Sequence, residues 1–240
     1  MTHSVVLIGP LGPSSAVFDP LIEHFAADLH VVLHEHVGHG GRPAPTAGFS
    51  IRDLGDDLLQ TLGAVAEHAS FIGVGLGAMI ALSIAVERPA GVRSLALAGV
   101  AASAASPVRY LDRARRVAAL GLHAVAEEII AGWVTREYLA QPDNRAWLLT
   151  LLSGTDSRCY ARCCEALATF DVADGLPQIA CPTLVIAGDR DVGVHPKESH
   201  RVHELIESSS FCSLDSTAHV PFIERPIAFS RLVRRQLESL

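Results

Sequence analysis

Short apolar runs punctuate the chain at intervals long enough for a helix. They read VVLI at 5–8, HVVLHE at 30–35, SFIG at 70–73, SLALAG at 94–99, TLVIAG at 183–188 and SSFCSL at 209–214. Six such runs separated by helical patterns predict βα units and a mainly parallel sheet of about six strands, with helices on both faces. Helix starts are legible as well. Ser50 followed by Asp53 forms a capping-box pattern that predicts a helix over 51–66. Pro196 sits where the first turn of another helix begins, and Glu224 with Pro226 opens a last one.

One interval breaks the rhythm. Residues 100–182 hold only helical patterns, RYLDRARRVAALGLHAVAEEIIAGWV among them. The pattern therefore predicts one α/β core, 1–104 and 174–240, carrying a helical lid insertion over 105–173. Trp133, Tyr138 and Trp147 fall in the insertion, where aromatic side chains either line a small-molecule pocket or pack the insertion itself.

Composition narrows the function. Hydrophobic residues make up 49% of the 240 and charged residues 19%, which excludes a disordered chain. A net charge of −7 without a basic stripe argues against nucleic acid as a partner and leaves a small-molecule substrate or ligand. The uncharged stretch Phe71–Val86 is too short to span a bilayer and is interrupted by Gly73, Gly75 and Gly77. No basic segment or cleavage pattern marks MTHSVVLIGP as a signal peptide, so a cytoplasmic location is expected. Five cysteines with no C-x-x-C pair fit reduced thiols. Of the vicinal pair Cys163 and Cys164, only one is expected to face the core.

The third run leads into Gly73-Val74-Gly75-Leu76-Gly77-Ala78 and then a helical pattern. Two site types use such a strand-turn-helix: a dinucleotide-binding turn, matched by Gly73, Gly75 and Ala78, and a nucleophile elbow, framed by Gly73 and Gly77. A dinucleotide turn belongs to the first βα unit and needs an acidic residue at the end of the next strand, which here ends Ala98-Gly99-Val100. The elbow needs an acid and then a histidine, each just past a later strand. Asp191 follows TLVIAG, and His219 follows SSFCSL. The order favours the elbow.

On these residues the chain resembles the α/β-hydrolase superfamily, and within it most closely the 3-oxoadipate enol-lactonase family. The matching stretches are Leu11-Gly12, Val37-Gly38-His39-Gly40, the elbow, GWVTREYL, TDSRCYARCCEAL, CPTLVIAGDRD and AHVPFIERP. The resemblance implies an α/β-hydrolase fold and a small carboxylated enol-lactone as substrate. It also implies Asp191 as acid, His219 as base, and the backbone N–H groups of Leu11 and Leu76 as oxyanion hole. No cofactor or metal is implied. The chain departs from the pattern in several places. It begins almost at the superfamily's third strand, so the N-terminal antiparallel hairpin is expected to be absent. Val37 stands where an arginine is usual, and Gly132 stands before Trp133 where a bulkier or basic residue is expected.

The sharpest departure is Gly75, which occupies the nucleophile position without a hydroxyl, thiol or carboxylate. Losing the nucleophile of such a triad costs on the order of 10⁶ in turnover. Three readings follow. His219, oriented by Asp191, acts as a base without a nucleophile, in hydrolysis or in an elimination, cyclisation or decarboxylation. The site is instead a catalytically silent ligand-binding module. Or the chain is a serine lactonase whose serine has been substituted. A hydroxyl reaching in from Ser14, Ser15 or Ser103 would restore covalent chemistry. Trp133 and His195 are candidate substrate contacts, and His34, Glu35, His36 and His39 pose a metal reading that the Gly-His-Gly turn makes unnecessary.

Overall fold

The structure, a computed structural model, describes residues 4–25, 29–104 and 106–240. Residues 1–3, part of the segment read for a signal peptide, and residue 105, the expected first residue of the insertion, lie outside the described residues.

All six predicted strands form: β1 (Ser4–Ile8), β2 (His30–His34), β3 (Ala69–Val74), β4 (Val92–Ala98), β5 (Thr183–Gly188) and β6 (Ser209–Leu214). They make one parallel sheet in the order β2-β1-β3-β4-β5-β6. Every residue of β3 and β5 is buried, which is why these strands read as unbroken apolar runs, covered on both faces. The edge strands β2 and β6 are only partly covered. Among the described residues no antiparallel strand joins the sheet.

Helices α1 (Asp19–Phe25), α2 (Ile51–Leu62) and α3 (Leu76–Glu87) connect the first four strands. The box at the start of α2 closes as expected: Asp53 N–H donates to Ser50 Oγ at 3.2 Å, and Ser50 N–H donates to Asp53 Oδ2 at 2.7 Å. This helix ends at Leu62, four residues before the predicted end, and Gly63–Ala66 tighten into a 3₁₀ turn. Helix α3 is buried from Leu76 through Ala85.

Five helices fill the interval between β4 and β5: α4 (Pro107–Leu120), α5 (Ala126–Trp133), α6 (Arg136–Leu139), α7 (Pro142–Leu152) and α8 (Ser157–Ala168). Helix α8 is covered on more than one side, so both Cys163 and Cys164 are fully buried. The expectation that one would face away fails, because α4 packs closely along α8 and covers it as well. Burial pushes the Cys164 thiol up to about 12, consistent with packing rather than reactivity. Helices α9 (Pro196–Leu205), α10 (Pro221–Glu224) and α11 (Pro226–Glu238) complete the chain. None of the helices is long and apolar enough to cross a membrane among the described residues.

Buried His36 and His39, after β2, brace the loop that follows β1, with buried His34, at the end of β2, packed beside His36. His36 Nε2 donates to Gly9 O at 2.9 Å. Gly12 N–H donates to His39 Nε2 at 3.2 Å, while His39 Nδ1 donates to Val37 O. His39 must therefore be neutral to accept. Burial lowers all three imidazoles, His34 to about 4 and His36 well below its ordinary value. No group of three or more metal-ligating side chains is disposed to hold a cation among the described residues.

Because the unfolded chain takes up these protons near pH 6.5 and the folded chain resists them, stability is full above that pH. It drains as pH falls toward about 4. Urea unfolding followed from pH 7.5 to 4.5 is expected to show this loss, and His34→Leu to remove about 2–3 kcal/mol of it. Parallel curves for the two proteins would assign the acid limb to other groups.

Candidate active site

The functional side chains gather at the carboxyl ends of the strands, where loops from several βα units converge. Helix α3 approaches that edge so closely that a Cβ on Gly77 would lie 2.1 Å from Ile8 O, and one on Gly73 would lie 2.5 Å from Gly77 O. Gly77 N–H donates across this crossing to Gly9 O at 3.0 Å. The two framing glycines of the elbow are thus demanded by backbone meeting backbone. Between them Gly75 adopts φ +55°, ψ −116°, a conformation that strains a residue bearing a Cβ by ~1–3 kcal/mol.

Two late loops bring the acid and the histidine to this bend. His219 Nδ1 donates to Asp191 Oδ2 at 2.8 Å, with the carboxylate almost fully buried. The other carboxylate oxygen accepts Gly193 N–H at 2.6 Å and Val194 N–H at 2.9 Å. The loops are stitched together by Thr217 N–H to Asp189 Oδ1 and by Arg190 N–H to Thr217 O. Glu224 fixes the histidine loop, accepting Ala218 N–H at 2.8 Å with one oxygen and Thr135 N–H at 3.1 Å with the other. Val220 N–H then donates to Trp133 O. The imidazole is held from both sides.

The other nitrogen of the ring reaches the elbow. A Cβ built on Gly75 would lie 2.7 Å from His219 Nε2 and 3.4 Å from Pro10 Cβ. A Cβ at this position would press on the imidazole, which would have to shift to admit it. Ser14, Ser15 and Ser103 are not among the groups nearest to Gly75, nor do they line the cavity in front of it. A Cβ on Gly99, at φ +56°, would lie 2.7 Å from His219 Nδ1, so a second glycine, just after β4, accommodates the ring. Its place at the strand end was visible in the sequence, but its contact with His219 was not.

A cavity of about 410 Å³ opens in front of the bend, within the ~300–1,000 Å³ range of small-molecule sites. Gly75, Leu76, Leu11 and His219 form its floor, and Trp133 lines its wall. Among the described residues neither the Leu11 nor the Leu76 N–H donates to a protein acceptor, so both donors are free to meet an oxyanion. Tyr138 and Trp147 pack against the core without lining the cavity. His195 does not line it either. Its exposed side chain caps α9 by accepting Lys197 N–H at 3.2 Å, because Pro196 turns the chain into that helix before the imidazole can reach the cavity.

The roof holds what the sequence did not single out. Helix α4 contributes Arg109, Tyr110 and Arg113, α5 contributes Glu128, and α8 contributes Tyr160. Burial raises both phenols above their ordinary value, keeping them protonated as donors. Arg109 donates to Val192 O at 3.1 Å and Gly193 O at 2.9 Å. It thereby grips the loop whose amides hold Asp191.

The chain is 27% identical over 239 residues to 3-oxoadipate enol-lactonase 1 of Acinetobacter baylyi, covering 99% of this chain and 89% of that protein. It is 28% identical to a pimeloyl-(acyl-carrier protein) methyl ester esterase of Neisseria meningitidis, covering 98% and 93%. The crystal structure of the enol-lactonase from Burkholderia xenovorans LB400 superposes with a TM-score of 0.95 at 27% identity, covering 99% of this chain and 92% of that one. With a family model matching residues 5–232, and with strand order, elbow and late acid and histidine in place, the chain belongs to the alpha/beta hydrolase family.

Proposed function

We propose that this protein is an acid–base enzyme for a small oxygenated ring or lactone, in which His219, oriented by Asp191, works without a nucleophilic side chain. The observation that carries the reading is the position of His219 Nε2, which stands 2.7 Å from where a Cβ of residue 75 would be. A base so placed faces the reacting centre directly, beside the unpartnered N–H groups of Leu11 and Leu76.

In a hydrolytic cycle Nε2 takes a proton from water as the water oxygen adds to the ring carbonyl. The developing oxyanion is met by the two N–H groups. As the ring C–O bond breaks, the imidazolium returns its proton to the leaving oxygen. In a non-hydrolytic cycle Nε2 takes a proton from carbon next to the carbonyl, and the enolate oxygen meets the same donors. Asp191 supports the imidazolium either way by accepting from Nδ1. The relatives named as an enol-lactonase and an ester esterase favour an activated acyl carbon as the centre of attack.

Across a panel of lactones and enols, His219→Gln is expected to lower turnover by about 10²–10⁴. Unchanged turnover would remove His219 from the mechanism, and stoichiometric binding of a panel member with no product over long incubation would make the protein a binding module.

Serine at 75 cannot enter without displacing the imidazole, so Gly75→Ser is expected to give no rise in lactonase rate and no acyl-enzyme burst. Gly75→Ala should lower the native rate at least about tenfold by misplacing Nε2. A large gain for Gly75→Ser would instead mark the site as a serine lactonase lacking its serine.

A further inference from the structure

From Pro10 to Ser15, in the loop after β1, every backbone N–H but one has a partner among the described residues. Gly12 N–H donates to His39 Nε2 at 3.2 Å, Ser14 N–H to Leu151 O at 3.1 Å and Ser15 N–H to Glu35 Oε2 at 2.9 Å. Pro10 and Pro13 have no N–H to place. The exception is Leu11, which lines the cavity. Two carbonyls pin the segment on either side of it. Gly9 O accepts from His36 Nε2 at 2.9 Å and from Gly77 N–H at 3.0 Å. Gly12 O accepts the Thr155 hydroxyl at 2.6 Å. The free donor is thus strung between two fixed residues.

The side chain that takes the Gly12 N–H must accept on one side and, being buried, must satisfy its remaining polar atom on the other. A neutral imidazole does both across a rigid ring. His39 is fully buried, and its Nδ1 donates to Val37 O at 2.9 Å. Because a backbone N–H can only donate, the bond to Gly12 decides which ring nitrogen carries the proton. Gly12 is confined as well. Its φ is +112°, and a Cβ there would lie 2.9 Å from Leu152 Cδ2 and 3.2 Å from Trp133 Cζ2. The lid therefore packs down on the residue that His39 and Thr155 hold. A misplacement of about 1 Å in such a group is enough to lose ~10²-fold in turnover.

We propose that His39, with Thr155, is a positioning residue: by holding the N–H and the C=O of Gly12, it aims the neighbouring Leu11 N–H at the oxygen that gathers negative charge in front of Gly75. This deepens the proposed function and rests on the Leu11 N–H as an oxyanion donor, but not on which bond His219 acts upon.

An NMR titration of the intact, isotopically labelled protein with phenyl trifluoromethyl ketone tests the assignment. In water this ketone stands mainly as its hydrate, which resembles a carbonyl after addition of water. Methyl phenyl ketone stays planar and reports apolar burial alone. The hydrate is expected to shift the Leu11 amide signal and to bind at least about tenfold more tightly than the planar ketone. His39→Leu should lower that preference at least about fivefold while leaving the planar ketone within about threefold of wild type. His39→Gln, which keeps an acceptor within reach of Gly12, should restore the preference, and Thr155→Val should fall between. A merely structural histidine would weaken both ketones together, and that outcome would overturn the proposal. So would a Leu11 signal untouched by the hydrate, equal binding of the two ketones by the wild-type protein, or an undiminished preference in a folded His39→Leu protein. Should His39→Leu not fold, an undiminished preference in Thr155→Val is equally fatal. The titration needs no turnover, so a protein that converts no lactone or enol fails the proposed function while the placement of the Leu11 N–H is still decided.

Discussion

The contact on which the site depends is one of backbone with backbone, where the first turn of α3 meets the ends of β1 and β3. With Gly77 against Ile8 O and Gly73 against Gly77 O, the helix cannot retreat without opening the sheet, nor advance without collision. That crossing puts the Leu76 N–H beside the loop bearing Leu11, so the two N–H groups proposed to meet an oxyanion line one cavity. It also sets the height of Gly75 relative to the late loops. The sharp bend at Gly75 thus keeps its geometry without any side chain of its own, because its frame is steric.

Much of the fold could be read from the residues. Strands β3 and β5 are buried on both faces, so their sequences are continuous apolar runs whose limits need no knowledge of partners. β4 begins earlier than its apolar core suggests, since Val92 pairs with Ala69 while Arg93 points to solvent. The meeting of Asp191 with His219 was legible because each follows a strand in a fixed order. His195 was misplaced because nearness to Asp191 in sequence says nothing about direction once Pro196 starts a helix.

Arg113 stayed hidden for a different reason. In RYLDRARR it is one of several charged positions on an amphipathic helix, and a charged helix residue ordinarily faces water. Only the packing of α4 against α8 and over the sheet turns that position inward. The same holds for Gly99 and Glu224, which serve the imidazole through space and not through chain order. Residues that act upon His219 directly carry motif signals, whereas those that shape its surroundings are specified by tertiary contacts.

The grip of Arg109 on Val192 O and Gly193 O ties the first roof helix to the segment that cradles the carboxylate. A single side chain thereby joins the cavity lining to the loop that holds Asp191. A hinge-like swing of α4 would either sever both of its bonds or drag the support of Asp191 outward, so access from that side and alignment of the His219 imidazole are mechanically one variable.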